Sequence, residues 1–415
     1  MKFLFRRADR ASAHGARPVG GSRFLLLAIV ASFAAATLAA ASLSPARAQT
    51  DFYTIASSEL GFYSNGALIR SQPMWGAPDG AAAYRILYRS EGLNGEPIAV
   101  SGVVIVPDGS PPPGGRPIVA WAHPTTGVAR ACAPSLARVL FRSIQGLRGM
   151  LAQGYAVAAT DYPGLGTPGP HPYLVGVSEG RAVLDSVRAA RTMPGVGGGR
   201  TFAVWGHSQG GQAALFTGLL AAEYAPELRL VGVAAAAPAT ELRSLFNLDL
   251  GTPGGNNITA MTLWSWSRVY DAPMLQVVTP EAVPAIDELA GMCIERFFDV
   301  FRRRGPSRKL ARSFLKEKDF ANLPPWRALL TENTPAALSP SIPIFLAQGT
   351  KDNVVVPSVT RNYLAKLCAV GSPVTMDWLP GVSHLFAARD SADAAIAWMA
   401  DRFAGTPAPS NCGQN

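Results

Sequence analysis

The chain has 415 residues, of which 48% are hydrophobic and 16% are charged. This composition is typical of a folded protein with a large core and excludes a disordered or low-complexity chain. The formal charge is +9, but residues 1 to 48 hold seven Lys or Arg and one acid, which leaves +3 for the remainder. Because that remainder shows no basic stripe with interleaved aromatic residues, we expect no nucleic-acid partner.

The first 48 residues are predicted to be a signal peptide. Basic residues precede an apolar run from residue 24 to residue 41, and Ala46 and Ala48 supply the small residues of a cleavage site. A membrane anchor is the alternative, but the run is rich in Ala and no Cys for lipidation follows it. We therefore expect a mature protein that begins at Gln49 and is secreted, either to the exterior or to a periplasm.

Short apolar runs stopped by Pro, Gly or Asp are predicted to be buried strands. In chain order they cover residues 98–107, 117–122, 155–161, 201–205, 228–237, 342–348 and 374–379. Helical patterns lie between several of them, at 178–191 and 209–223, and a further one follows at 391–403. This alternation predicts an α/β fold with a mostly parallel sheet and helices on both faces.

The alternation stops between residues 240 and 335. An unstructured loop of about 100 residues is uncommon in a compact domain, so we expect a helical cap or lid inserted into a catalytic domain of residues 49–239 and 336–415. The basic run over 302–318 is interpreted as a solvated helix face. Ahead of it, four apolar residues recur at helical spacing: Ile294, Phe297, Phe298 and Phe301. A second apolar cluster forms either an acyl-binding wall or the core of the cap: Met261, Leu263, Trp264, Trp266 and Tyr270.

Ser208 lies where a predicted strand turns directly into a predicted helix. Gly206, Gly210 and Gly211 flank it, and small residues at such a turn let the strand and the helix approach each other. The turn also places Ser208 at a helix N-terminus, where free N–H groups favour developing negative charge. The GxSxG pattern is weak alone, since it also surrounds Ser178. The residues before Ser178 are broken by Pro, so Ser178 is interpreted as a helix cap.

A serine nucleophile needs a base and an acid that orients the base, and α/β-hydrolases place them in the chain order Ser, acid, His. Asp352 and His384 follow two predicted strands in that order. The other four histidines fit other roles: His14 lies in the leader, His171 is structural, His207 supports the turn, and His123 precedes the nucleophile. The sequence therefore predicts an α/β-hydrolase fold with Ser208 as nucleophile, His384 as base and Asp352 as acid.

The oxygen of the attacked carbonyl needs two preorganised hydrogen-bond donors. The Gln209 backbone N–H is expected to be one, and the loop of residues 125–127 to supply the other, with Thr125 and Thr126 both open as candidates. Asp161, at the end of a strand on the same face, is interpreted as a loop organiser rather than a second catalytic carboxylate. The sequence holds no metal or nucleotide motif, so we expect no cofactor and no metal.

With these residues placed, the chain resembles the secretory lipase family, the group that includes the fungal lipase A type. The resemblance runs from residue 84 to residue 412. It is specific at the motif CAPS from Cys132, at YAPEL from Tyr224 and in the helix of residues 180–191. Two features depart from the family pattern. The elbow reads GHSQGG instead of a version with tyrosine, and Thr126 stands where the family has an acid in the oxyanion hole.

The resemblance implies the disulfides Cys132–Cys293 and Cys368–Cys412. An even number of cysteines in an exported chain favours two disulfides over a metal site, but spacing alone leaves all three pairings open. The resemblance also implies action on triacylglycerols and other carboxylic esters. We therefore predict a lipase or broad carboxylesterase that forms an acyl-enzyme on Ser208 and contacts a lipid interface transiently. The oligomeric state stays open.

Two alternative functions remain. A peptidase or amidase of the same fold would use acidic residues of the insert to bind a substrate amine, and Glu281, Asp287 and Glu288 are candidates. A non-catalytic binding protein would retain the fold without the activity. Because function depends on the site and not on the fold, the fold alone separates none of these functions.

Overall fold

The computed structural model of the protein describes residues 52–295, 304–310 and 314–413. The predicted signal peptide lies outside the described residues, as do Phe297, Phe298 and Phe301 of the insert. Among the described residues, no helix has the length and apolar character needed to cross a membrane.

In the described residues, nine strands, numbered β1 to β9 along the chain, form one sheet in the order β1-β2-β3-β5-β4-β6-β7-β8-β9. Pairing is antiparallel from β1 through β3 to β5, and parallel from β5 through β4, β6, β7 and β8 to β9. The strands are β1 (Leu68–Met74), β2 (Ala81–Glu91), β3 (Pro97–Pro107), β4 (Arg116–Ala122), β5 (Ala156–Thr160), β6 (Gly198–His207), β7 (Arg229–Ala236), β8 (Ile344–Gly349) and β9 (Val374–Leu379).

The seven predicted strands correspond to β3 through β9, but the sequence analysis missed β1 and β2. These two strands form an antiparallel hairpin at one edge of the sheet. Their sequences, LIRSQPM and AAAYRILYRSE, mix Arg, Gln and Ser with apolar residues. A strand with one face partly in solvent lacks the continuous apolar run of a central parallel strand, so the signal that found the other seven was weak here.

Helices cover both faces of the sheet, as predicted. β4 shows the alternation: Ile118 and Ala120 join the core cluster beneath the helices that begin at residues 176, 209 and 357, whereas Val119 and Trp121 join the cluster beneath the helices that begin at residues 147 and 387. The helices are α1 (Ser57–Leu60), α2 (Leu140–Ser143), α3 (Leu147–Ala152), α4 (Gly176–Thr192), α5 (Gln209–Tyr224), α6 (Leu242–Asp249), α7 (Pro253–Val269), α8 (Met274–Val277), α9 (Val283–Ala290), α10 (Arg304–Leu310), α11 (Trp326–Glu332), α12 (Pro357–Ala369) and α13 (Ala387–Phe403).

The interpretation of Ser178 as a helix cap is wrong. α4 begins at Gly176 with Val175 in the cap position, so Ser178 lies in the first turn. The side-chain oxygen of Asn333 accepts a hydrogen bond from the Gly176 N–H at 3.0 Å. A residue distant in sequence thus satisfies a free N–H at this helix end, which a local Ser would otherwise do.

Helices α6 to α11 lie between β7 and β8 and share a hydrophobic core, to which residues from the segments after β4, β5 and β8 also contribute, among them Val128, Tyr173 and Val355. Leu263 and Trp266 are fully buried in that core, and the Trp266 ring stacks on Trp326 with 6.4 Å between centroids. These contacts favour the core interpretation of the aromatic cluster over an acyl-binding wall for these two residues. In the basic run, Lys309 is exposed and pairs with Glu288 at 3.3 Å, as on a solvated helix face.

The segment between β7 and β8 contacts loops that follow the carboxyl ends of the parallel strands. The Ile294 N–H donates to the Thr126 carbonyl, after β4, at 2.8 Å. The Ser265 hydroxyl of α7 donates to the His171 carbonyl, after β5, at 2.6 Å. Such contacts are what a cap over the carboxyl edge of the sheet requires, and a cap with boundaries at residues 240 and 335 stays a prediction.

Candidate active site

The turn between β6 and α5 holds Ser208 in a strained conformation. Its φ is +58° and its ψ is −118°, which a residue with a side chain rarely adopts. The flanking glycines are sterically required. A Cβ on Gly210 would lie 1.9 Å from the Ala122 carbonyl oxygen, and a Cβ on Gly206 would lie 2.0 Å from the Gly210 carbonyl oxygen. Beside Ser208, the backbones of β6, α5 and the end of β4 are therefore in direct contact, with no room for a side chain between them.

The structure brings the three residues of the predicted triad together. His384 Nε2 lies 2.8 Å from Ser208 Oγ, and His384 Nδ1 lies 2.7 Å from Asp352 Oδ2. Ser208 is half-buried, whereas His384 and Asp352 are buried. Both hydrogen bonds have the length expected of a nucleophile, base and acid that act as one unit.

Four N–H groups orient the Asp352 carboxylate. Its Oδ1 accepts the backbone N–H groups of Val354 and Val355, each at 2.9 Å. Its Oδ2 accepts the Gln348 side-chain amide at 3.0 Å as well as His384 Nδ1. Gln348 is fully buried at the end of β8 and was not identified from the sequence. Because Oδ1 is engaged by two amides, Oδ2 is the oxygen directed at the imidazole.

The loops that carry Asp352 and His384 are held together through their backbones. The Lys351 N–H donates to the Val382 carbonyl at 3.0 Å, and a Cβ on Gly349 would lie 2.3 Å from that same oxygen. The separation between acid and base is thus set by backbone packing, which side-chain motion does not alter.

His207, the residue directly before the nucleophile, contacts the backbone of the base His384. Its Nε2 lies 3.0 Å from the His384 carbonyl oxygen. Burial, together with the neighbouring His384, lowers the pKa of His207 to about 3, so the ring is neutral at pH 7. A carbonyl only accepts, so the His207 Nε2–H donates to it. This contact agrees with the interpretation of His207 as a support of the turn.

The two threonines of the loop after β4 have different partners. The Thr125 hydroxyl lies 2.9 Å from the Tyr173 hydroxyl. The Thr126 hydroxyl oxygen is buried and forms no hydrogen bond with any residue in the described ranges. Gln209 is the first residue of α5, where a backbone N–H has no acceptor within the helix. Within the described part of the chain, the Thr126 hydroxyl and the Gln209 N–H are thus donors without an acceptor.

Asp161 organises the polypeptide that follows the Thr125–Thr126 loop. Its carboxylate accepts the Ser101 hydroxyl at 2.6 Å, the Ser135 backbone N–H at 2.8 Å and the Ser135 hydroxyl. Burial raises the pKa of this carboxyl, and the three hydrogen bonds oppose that effect. All three donors belong to Ser101 and Ser135, which are not members of the triad, and this agrees with the loop-organising role expected of Asp161.

Disulfides join Cys132 to Cys293 and Cys368 to Cys412, the pairing that the resemblance implies. The first closes a sequence separation of 161 residues and ties the segment after the Thr125–Thr126 loop to the segment between β7 and β8. A Cβ on Gly127 would lie 2.7 Å from Cys132 Sγ. The disulfide therefore packs directly against the loop.

We expect the two disulfides to differ in their effect on activity. Cys132→Ser with Cys293→Ser should lower the free energy of unfolding by about 2 to 4 kcal/mol and should also lower kcat, because the Thr125–Thr126 loop loses its anchor. Cys368→Ser with Cys412→Ser, which frees only the chain terminus from α12, should lower stability alone. Urea unfolding and butyrate ester hydrolysis measure both quantities, and an equal kcat in the two double variants would contradict the loop argument.

Two of the three acidic residues considered for amine binding, Asp287 and Glu288, have partners within the insert. Asp287 Oδ1 accepts the Trp264 indole N–H at 2.9 Å and lies 3.4 Å from an Arg268 nitrogen. Glu288 pairs with Lys309. Both carboxylates are exposed, and Glu281 is also at the surface. Their pairing with local cations does not favour a site for a substrate amine.

Comparisons with known proteins place this geometry in context. The sequence profile described as secretory lipase matches residues 143–411. Lipase A of Arthroderma benhamiae is 26% identical over 375 residues, which cover 83% of this chain and 75% of that protein. A Mycobacterium tuberculosis protein described as a probable inactive lipase is 27% identical over 346 residues, with 80% and 75% covered. The X-ray structure of Candida antarctica lipase A superposes with a TM-score of 0.71 at 20% identity, covering 87% of each chain, which confirms the predicted α/β-hydrolase fold.

Proposed function

The chain belongs to the secretory lipase family and is a carboxylic ester hydrolase, and we propose that Ser208 carries the acyl group during its reaction. The observation that supports this role is the continuous hydrogen-bond chain from Ser208 through His384 to Asp352. A hydroxyl is a weak nucleophile at neutral pH unless a base removes its proton during attack, and His384 Nε2 lies within reach of that proton.

The reaction begins when Ser208 Oγ attacks the ester carbonyl carbon and its proton passes to His384 Nε2. Asp352 accepts the Nδ1–H of the imidazolium that forms and stabilises its charge. Collapse of the tetrahedral intermediate breaks the bond to the alcohol oxygen, which takes the proton from Nε2. Water then attacks the acyl-enzyme with the same histidine as base, which releases the acid and restores Ser208.

The oxyanion of each tetrahedral intermediate is assigned to the Gln209 backbone N–H and to Thr126. The free N–H at the start of α5 and the Thr126 hydroxyl without a protein partner support this assignment. Thr126 is preferred over Thr125 because the Thr125 hydroxyl is already hydrogen-bonded to the Tyr173 hydroxyl, whereas the Thr126 hydroxyl has no partner among the described residues. A buried hydroxyl without a partner is costly in a folded protein unless a bound group uses it.

Apolar acyl groups are the proposed substrate class. Leu385 and Phe386 follow His384 directly and are 55% and 42% exposed. Exposed apolar residues beside a catalytic base suit an ester with a hydrocarbon chain and a transient contact with a lipid surface. The family is a secretory one, and we propose that residues 1–48 are removed on export.

Hydrolysis of p-nitrophenyl esters from acetate to palmitate, by the chain from Gln49 onward, tests this function. We expect activity that depends on acyl length, because a longer chain buries more apolar surface, at about 0.8 kcal/mol for each fully buried CH₂. The preferred length distinguishes an esterase from a lipase. Ser208→Ala should remove the activity at every length, and a variant that keeps it would overturn the role of Ser208.

A non-catalytic protein is the second candidate, since one relative is described as a probable inactive lipase. The hydrogen-bonded triad supports the hydrolase instead. A folded protein that cleaves no ester in the series would favour the binding protein. Cleavage of aminoacyl amides with a higher kcat/KM than that of any ester would favour the amidase.

A further inference from the structure

Three polar residues form a buried, hydrogen-bonded cluster that includes the residue after the nucleophile but neither His384 nor Asp352. Gln209 follows the nucleophile, Glu179 lies in the first turn of α4, and His171 lies in the loop before α4. Each is no more than 1% exposed. The reaction described above uses only the backbone N–H of Gln209, so the three side chains need another explanation.

The Gln209 side-chain amide is held by two acceptors. Its Nε2 donates to Glu179 Oε1 at 2.8 Å and lies 3.3 Å from His171 Nε2. His171 Nδ1 lies 2.8 Å from the Pro163 carbonyl oxygen, so the proton of the neutral ring is on Nδ1 and Nε2 accepts. Glu179 Oε1 also accepts the Leu174 backbone N–H at 3.1 Å. Both amide hydrogens of Gln209 therefore have a fixed direction.

The approach of α4 to α5 brings Glu179 to this place. A Cβ on Gly176 would lie 2.1 Å from the Phe216 ring of α5, and a Cβ on Gly180 would lie 3.0 Å from the Phe216 carbonyl carbon. Larger residues at these two positions would push α4 away from α5 and separate Glu179 from Gln209. The second GxSxG match of the sequence thus marks a close contact between two helices.

We infer that Glu179 is a positioning residue for ester hydrolysis, which fixes the Gln209 side chain and thereby the Gln209 backbone N–H that faces the oxyanion. The inference rests on the proposed function. A donor that is preorganised needs no rearrangement when charge develops, and a displacement of about 1 Å can cost about 100-fold in rate. His171 acts with Glu179 as the second acceptor.

The protonation of Glu179 adds an electrostatic effect. Burial raises the pKa of Glu179 to about 8, against the opposing effect of its hydrogen bonds from Gln209 and Leu174. The titratable groups that face it are His171, whose pKa burial lowers to about 3, and the phenols of Tyr162 and Tyr270, whose pKa values are raised. None of them is cationic at pH 8, so the Glu179 carboxyl is mostly protonated at pH 7 and ionises above pH 8.

Ionisation of Glu179 should oppose catalysis. The carboxylate would lie beside the residue that binds the oxyanion, and two like charges in a buried site raise the energy of the transition state. The active form is thus the one with neutral Glu179, and its population falls as pH rises through about 8. We expect kcat to decrease on the alkaline side for this reason.

The test compares variants of the full chain on a soluble ester, with kcat, KM, thermal unfolding and pH profile for each. Glu179→Ala should lower kcat by about 10- to 100-fold with little change in KM. Glu179→Gln, which keeps an acceptor for Gln209 but never ionises, should restore most of that loss and lack the decrease above pH 8. Gln209→Ala keeps the backbone N–H and should resemble Glu179→Ala, and the double variant should lose no more than either.

Asp185→Asn is the matched control. Asp185 lies on the same helix and is buried, and burial raises its pKa to about 6. Its partners are Ser90 at 2.6 Å, Tyr224 at 2.8 Å and Arg188 at 2.9 Å, none of which is in the proposed active site. This substitution should therefore change stability, whereas kcat and its decrease above pH 8 should be the same as in the wild-type protein.

The outcomes separate the inference from the proposed function. Wild-type protein that cleaves no ester, or activity that survives Ser208→Ala, overturns the proposed function and the inference with it. With Ser208-dependent activity established, a Glu179→Ala variant that loses thermal stability but keeps kcat shows a structural role only and overturns the inference. The inference is also overturned if the losses in kcat of Glu179→Ala and Gln209→Ala multiply in the double variant. It is overturned as well if kcat of Glu179→Gln still decreases above pH 8. If Glu179→Ala does not fold, Glu179→Gln and Gln209→Ala still decide.

Discussion

His384→Ala is expected to lower kcat for a short-chain ester by about 10⁵- to 10⁶-fold. Without the imidazole, the Ser208 hydroxyl has no base within hydrogen-bond distance, and the leaving alcohol has no acid. What remains is binding and the oxyanion donors, which other serine hydrolases show to be worth about 10³- to 10⁴-fold over water. The thermal midpoint, measured on the same protein, separates loss of the base from loss of the fold.

Asp352→Asn keeps the size of the side chain and removes its charge, and we expect it to lower kcat by about 10⁴-fold. Oδ1 of Asp352 is engaged by the N–H groups of Val354 and Val355, so the new amide oxygen takes that place and the NH₂ group faces His384. The imidazole must then accept at Nδ1 and carry its proton on Nε2. In that tautomer it cannot take the proton of Ser208.

Asp401→Asn serves as the control, because Asp401 is an exposed carboxylate near the end of α13. It should leave kcat unchanged. A kcat within tenfold of the wild-type value for either triad variant, in protein with an unchanged thermal midpoint, would contradict the proposed roles of His384 and Asp352.

The sequence predicted the candidate triad because each member follows a strand. The carboxyl ends of parallel strands meet at one edge of a sheet, so Ser208, Asp352 and His384 were expected together once β6, β8 and β9 were recognised. The same reasoning recognised seven strands and missed the β1–β2 hairpin, whose mixed polarity follows from its place at an edge of the sheet.

The cluster of His171, Glu179 and Gln209 could not be predicted from the sequence. His171 lies among prolines, and Glu179 lies within a GxSxG match that was set aside as unrelated to catalysis. Neither residue has a local signal that points to the other. Their contact depends on the close approach of α4 to α5, which Gly176 and Gly180 permit. The spacing of residues in the sequence does not show that these two helices are neighbours. Gln348, which orients Asp352, was missed for the same reason.

The proposed preference for Thr126 over Thr125 depends on tertiary contacts as well. Adjacent threonines are equivalent in sequence, and the difference is the hydroxyl of Tyr173, 48 residues further along the chain. The disulfide pairing is a comparable case. Cys132 and Cys293 are 161 residues apart, and only the return of the segment after α9 to the Thr125–Thr126 loop brings them together.

Gly210→Ala should be among the most destabilising single substitutions in the protein, with a loss of more than about 4 kcal/mol in the free energy of unfolding. The new Cβ would lie 1.9 Å from the Ala122 carbonyl oxygen, 2.4 Å from its carbon and 2.7 Å from the His123 carbonyl oxygen. All three atoms are backbone, so no side chain can rotate away. The start of α5 or the end of β4 must move instead.

Gly218→Ala is the matched control on the same helix. There the nearest atom to a new Cβ is Leu338 Cδ2 at 2.4 Å, the end of a side chain that can change rotamer. Alanine also favours a helix interior over glycine by about 1 kcal/mol. Gly218→Ala should therefore cost far less, and thermal and urea unfolding of the two variants measure the difference. Equal midpoints would contradict the close approach at Gly210.

The two variants should also differ in activity among the molecules that fold. In Gly210→Ala, relief of the clash must move the start of α5, which carries the Gln209 N–H, relative to the end of β4, from which the chain continues to Thr126. We expect a lower kcat at constant KM on a short-chain ester, whereas Gly218→Ala should keep both. The close approach that makes glycine necessary at residue 210 thus occurs directly beside Gln209, one of the two proposed oxyanion donors.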